Sequence, residues 1–119
     1  MESRALGKTV SELDLTEAKV PPPDKSRFSM CLREIITQLS VPTNVAIVGI
    51  ESHVCVLQTT LDLLRAGHAV YVISDGVSSA NKEEVPIAIA RMRQAGAFIT
   101  TSESFVSCSL IFSDTSSLK

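Results

Sequence analysis

The sequence predicts an α/β domain built on a parallel sheet, and three observations carry that reading. Asn44–Ile50 (NVAIVGI) and residues 69–74 (AVYVIS) are continuously apolar and rich in β-branched side chains, as strands covered on both faces are. Stretches with helical spacing follow each of them. Short turns marked by glycine or proline join the elements, so each strand–helix–strand unit closes as a right-handed crossover.

Each element follows in order. Residues 1–27 are polar and irregular, with the stiff break Pro21-Pro22-Pro23 and one short extended segment expected within residues 13–20. Residues 29–39 read as a helix, with Met30, Leu32, Ile35, Ile36 and Leu39 available for a buried face. Pro42 separates it from the strand Asn44–Ile50. A helix over residues 52–66 places Val54, Leu57, Leu61 and Leu64 at three- and four-residue spacing, and Gly67 ends it. The strand at 69–74 closes on a loop marked by Asp75-Gly76 and Ser78-Ser79. A third helix covers 83–94, with Pro86 tolerated in its first turn. Gly96 precedes a short strand at 97–100 (AFIT). A last helix over 102–112 is opened by the capping pattern Thr100-Thr101-Ser102-Glu103.

Composition bounds the function. At 119 residues the chain allows one domain. Hydrophobic residues make up 45%, enough for a core, and with no Trp and one Tyr that core must be aliphatic. Lys and Arg total 11 against 13 Asp and Glu, a net charge of −2, so no basic stripe is available to displace counterions from nucleic acid. No apolar run approaches a membrane span, and the start MESRALGKTV has no apolar signal core. Three cysteines, Cys31, Cys55 and Cys108, are odd in number and lack metal-like spacing, which fits reduced thiols inside the cell. The cytoplasm is the expected compartment, with the mitochondrion as the alternative.

In such a sheet, ligands bind beyond the C-terminal ends of the strands. Three segments reach that rim: residues 51–55, 75–79 and 100–103. Cys55 is the candidate nucleophile there. It sits just past a buried strand on the first turn of a helix, where exposed N–H groups and the helix dipole favour a thiolate and can hold an oxyanion. A small cysteine packed beneath the sheet is the plainer alternative. Asp75 reads as a turn cap. His53 and His68 lie at opposite ends of one helix with no Asp-x-His spacing, so no metal site is expected, and His53 reads as a cap-region histidine. Cys31 and Cys108 read as helix-packing residues.

Five segments make the chain resemble the isochorismatase-like hydrolases, and most of all the eukaryotic isochorismatase domain-containing proteins. They are LGKTVSELDL (6–15), KSRFSM (25–30), VAIVGIESHVCVLQTTLDLLRAG (45–67), VYVISDGVSS (70–79) and ARMRQAGAFITTSES (90–104). The resemblance implies a three-layer αβα fold of Rossmann-like character, and an Asp-Lys-Cys triad acting on amide-like carbonyls through a thioester without a cofactor. Cys55 matches the nucleophile, and Lys25, before Phe28-Ser29, matches the lysine that holds the thiolate. The resemblance also implies a cis peptide at Ile50–Glu51, aiming the N–H groups of Glu51 and Cys55 at the oxyanion.

The same resemblance sets expectations about what is missing. The family's aspartate ends a first strand upstream of the lysine, but only Asp14 and Asp24 precede Lys25, and neither takes its role. The chain therefore reads as a single partial domain over 1–119, lacking the first strand and helix, with a divergent, Ser-rich tail at 105–119. Without that first strand, the Asn44–Ile50 edge is left unpaired and apolar. The expected function is a hydrolase of a small molecule, weak or inactive in this shortened form. The alternative is a non-catalytic binding or assembly module, with self-association among its roles. Neither nucleic acid nor membrane is expected as a partner.

Overall fold

The structure is a computed structural model that describes residues 11–18, 21, 23–39 and 42–117, with side chains described up to residue 109. In chain order it holds a one-turn helix α1 (Arg33–Ile36), strand β1 (Asn44–Ile50), a π-helical turn (Ser52–Val56) and helix α2 (Leu57–Arg65). Strand β2 (Ala69–Ser78), helix α3 (Glu84–Gln94), strand β3 (Phe98–Thr100) and helix α4 (Ser102–Ser117) follow. The sheet is parallel in the order β1-β2-β3, so each crossover joins neighbouring strands.

Strand alternation sorts the two faces. Val70 and Val72 of β2 are fully buried with Ile47 of β1, Val56 and Leu63 below it, and Ala88 and Met92 of α3. That core is aliphatic, as composition required. On the other face Tyr71 stacks on Phe98 at 4.9 Å between ring centroids and tilts against Phe105 of α4 at 5.6 Å. Two helices therefore cover one face and α4 the other, giving the three layers. Val48 and Ile50 stay about two-thirds exposed (64% and 65%), and among the described residues β1 is an edge strand, as expected of the apolar 44–50 edge.

Several elements depart from expectation. The helix predicted over 29–39 shrinks to one turn; ahead of it the N–H of Met30 goes to the Thr59 hydroxyl and that of Cys31 to the Ser29 hydroxyl. Leu32 stays extended and serves as the cap. Thr37 closes the turn on the Arg33 carbonyl, and beyond it only i→i+3 bonds continue, from Gln38 and Leu39 to Ile35 and Ile36. The extended segment expected within 13–20 is instead a pair of turns as far as Ala18, stabilised by the Thr16 N–H on Asp14 Oδ1 (3.0 Å); residues 19 and 20 lie outside the described residues.

Strand β2 does not end at 74. Ile47 pairs with Val72 but Gly49 pairs with Val77, so residues 73–76 form an excursion within the strand, which then resumes through Ser78. Asp75-Gly76 sits in that excursion rather than closing the strand. A Cβ on Gly76 would come within 2.8 Å of Val48 Cγ1, which is why glycine stands there.

Helix α2 opens through a π turn, with the Glu51 carbonyl accepting the N–H groups of both Val54 and Val56. The turn moves the buried set from Val54 to Val56, Leu57 and Leu63. Helix α4 runs to Ser117, past the predicted end at 112. Its cap is Thr101, whose hydroxyl accepts the Ser104 N–H at 3.2 Å, one residue later than the Thr100–Glu103 pattern predicts. Cys108 on α4 is exposed and does not pack between helices, whereas Cys31, itself outside any helix, packs against the core with its thiol 3.8 Å from the Thr59 carbonyl of α2.

Candidate active site

Both halves of the candidate site come from the ends of elements. The end of β1 brings the chain through Gly49, whose φ of +131° suits glycine, and a cis peptide between Ile50 and Glu51 into the π turn. Core contacts of Val56 (3% exposed) and Leu57 (7%) anchor the far side of that turn. Cys55 stands on it half-buried, not sealed beneath the sheet.

Lys25 reaches this thiol from an irregular segment thirty residues earlier. Its ammonium donates to the carbonyls of Arg27 (2.9 Å) and Phe28 (3.0 Å), and lies 3.9 Å from Cys55 Sγ. An ammonium has three tetrahedral N–H donors. Two held by carbonyls of its own loop leave the third directed at the sulfur. A cation at this separation stabilises a thiolate by about 1 kcal/mol in bulk water and about 4 kcal/mol at an effective dielectric of 20, and the half-exposed site lies between those limits.

A polar frame surrounds the pair. The Ser79 hydroxyl, from the loop after β2, accepts the Ser52 N–H (3.0 Å) and lies 3.0 Å from His53 Nδ1. Glu51 Oε2 accepts the Ala80 N–H at 2.8 Å, a second tie between the same loops. On the other side Thr59 bonds both Cys55 O (2.6 Å) and Met30 N (2.9 Å).

The remaining candidates are placed elsewhere. Asp75 caps α4: it accepts the Ser102 hydroxyl and the Ser102 N–H (2.7 Å), and these bonds hold its carboxyl below the usual carboxylate range. The Thr16 N–H holds Asp14 low in the same way. Asp62 pairs with Arg65 at 3.6 Å. Burial raises the Cys31 thiol, with the Asp62 carboxylate adding to it and the Ser29 hydroxyl opposing. Among the described residues no three His, Cys, Asp or Glu side chains converge on a point that could hold a metal ion.

Thr59 and Ser79 are the residues that sequence reasoning passed over. Thr59 carried a readable signal: four residues after Cys55, a threonine in a helix bonds back to that carbonyl. Ser79 read only as loop composition.

With this geometry in place, kinship with known proteins is specific. The Isochorismatase domain matches residues 3–104. The chain belongs to the isochorismatase family. Isochorismatase family protein 1B of Dictyostelium discoideum is 48% identical over 70% of this chain and 42% of its own length. The secreted isochorismatase effector Isc1 of Phytophthora sojae is 44% identical over 85% of this chain and 51% of its own. Among solved structures, the MAR1 ribonuclease of Caenorhabditis elegans superposes with a TM-score of 0.79 at 45% identity, over 87% of this chain and 55% of that one. The chain thus spans about half the length of the relatives it matches.

Proposed function

We propose that this chain acts on small amide-like substrates as a cysteine hydrolase with weak turnover. The observation that carries the reading is the Lys25 ammonium, tied by two carbonyls and standing 3.9 Å from Cys55 Sγ. The thiolate attacks the carbonyl carbon, forming a C–S bond while the carbonyl electrons move onto oxygen, toward the N–H groups of Glu51 and Cys55. Collapse expels the amine, which takes up a proton. Water then cleaves the thioester, releasing the acid and restoring the thiol.

The weak point is the proton for the departing amine. Asp14, Asp62 and Asp75 are engaged with Thr16, Arg65 and Ser102. The other aspartate with a described side chain, Asp24, directly precedes Lys25. S-acylation by an ester with a good leaving group needs no such acid. We therefore expect p-nitrophenyl acetate to give a burst of about one p-nitrophenolate per chain, a slow steady state, and no burst in Cys55→Ser. A burst that survives the substitution, or none in the unaltered chain, overturns the reading.

A non-catalytic assembly role is the second reading, favoured by the apolar edge of β1 with Val48 and Ile50 exposed. Sedimentation velocity tests it: a concentration-dependent dimer abolished by Val48→Lys supports it, and a monomer at all concentrations removes it. RNA cleavage, suggested by the name of the C. elegans neighbour, fits poorly with a net charge of −2. No helix among the described residues is long and apolar enough to cross a membrane. Three free thiols favour a reducing, intracellular setting, the cytoplasm foremost.

A further inference from the structure

We propose that Thr59 is the positioning residue that sets where Lys25 stands relative to Cys55; this rests on the cysteine–lysine reading above. The two groups come from parts of the chain with no strand or helix in common. Cys55 is held by the continuous run from β1 through the π turn into α2. Lys25 sits in a loop whose own bonds, from the ammonium to Arg27 O and Phe28 O, orient the amine within the loop and do not tie it to the rest of the domain.

That tie is made at Thr59, which is 6% exposed. Its hydroxyl has one proton and two lone pairs. The Cys55 carbonyl can only accept, so the proton goes there, at 2.6 Å. The Met30 N–H can only donate, so it occupies a lone pair, at 2.9 Å. One oxygen thus bonds both the residue that carries the thiol and the segment that carries the amine. The same residue's carbonyl accepts the Cys31 thiol at 3.8 Å, so Thr59 fastens the loop at both Met30 and Cys31.

Removing the hydroxyl at constant shape leaves the Met30 N–H and the Cys55 carbonyl without this partner and frees the loop to shift. Small displacements of a positioned group have large consequences for reactivity. A purely structural Thr59 would contribute stability and leave the thiol's chemistry alone.

The test is alkylation of the full chain by iodoacetamide across pH, read at Cys55 by peptide mass so that Cys31 and Cys108 do not contribute. Thr59→Val should slow Cys55 alkylation at pH 7 by about 3- to 10-fold. Thr59→Ser, which keeps the hydroxyl, should return it to within about twofold. Lys25→Met should slow it similarly, and adding Thr59→Val to Lys25→Met should change it by less than about twofold, since coupled residues do not add.

A Thr59→Val profile matching the unaltered chain while Lys25→Met shifts its own overturns the role of Thr59 alone. An equal effect of Thr59→Val with and without Lys25 overturns it too. A Lys25→Met profile matching the unaltered chain overturns the cysteine–lysine reading, and this inference with it. Amide exchange in the unaltered chain gives a check that needs no variant to fold. Met30 should exchange at least about tenfold more slowly than an unbonded amide of its segment, and free exchange there overturns the proposal.

Discussion

The turn that carries Cys55 and the loop that carries Lys25 meet at one site but are held in place by different physics. The thiol's turn grows out of strand β1 and ends on Val56, which with Leu57, the first residue of α2, is core. Its position follows from the packing of the whole domain. The lysine's loop has almost no regular structure and is held mainly at Thr59, by the Met30 N–H and the Cys31 thiol, with Cys31 also packed against the core. Apolar packing is distributed and cooperative, whereas a few hydrogen bonds, each worth about 1 kcal/mol net, open locally. Changes on the thiol side should therefore register as global stability, and changes on the lysine side as local order and reactivity.

The largest effect should come from the core beneath the thiol's turn. Met92, fully buried in that core, should cost about 2–5 kcal/mol when changed to Ala, read as a lower urea midpoint for every probe at once. A loss confined to one region would break the contrast. Lys25→Met comes next: Cys55 alkylation at pH 7 should fall about tenfold with the urea midpoint unchanged, because a half-exposed lysine contributes little to folding. A matching drop in stability would place the lysine's loop in the global unit.

Ser79→Ala should cost about 1 kcal/mol and leave the Ser52 N–H without its partner, sharpening the comparison from the loop after β2. Exchange of the Ser52 amide should rise more than that of the β2 amides. The smallest effect belongs to Asp75. Its carboxyl is lowered in the folded state by Ser102, so its contribution is present above the unfolded carboxylate value and is lost as pH falls through the lower folded one. Acid titration should thus loosen the start of α4 first, visible as faster Ser102 amide exchange while the thiol's turn stays protected. Loss of protection at both places together would count against their independence.

Much of the fold was legible because its signals are local. NVAIVGI cannot hide in a polar face, and helix 84–94 ends where glycine follows. The aromatic layer of Tyr71, Phe98 and Phe105 was not legible, since those three come from separate elements. The 29–39 helix was overpredicted because apolar spacing says nothing of the tertiary setting of residues 29–32, where Leu32 stays extended and the Met30 N–H bonds Thr59. The π turn was missed for a related reason: Val54 and Val56 offer equally good apolar faces, and only the core selects between them. At the site, Cys55 and Lys25 were marked by motif, but their neighbours Thr59 and Ser79 were ordinary polar residues in sequence.

What the sequence determined by itself was the order of strands and helices, the aliphatic character of the core, and the residue types brought to the sheet's C-terminal rim. Periodicity and composition suffice for these, because they reflect each residue's preference for water or interior. The pairing of an amine at residue 25 with a thiol at residue 55 was implied by resemblance, but the tertiary structure alone decided its separation and which hydroxyls hold the two segments there. Those facts depend on hydrogen-bond directions across long loops, whose geometry exists only after the hydrophobic elements have packed.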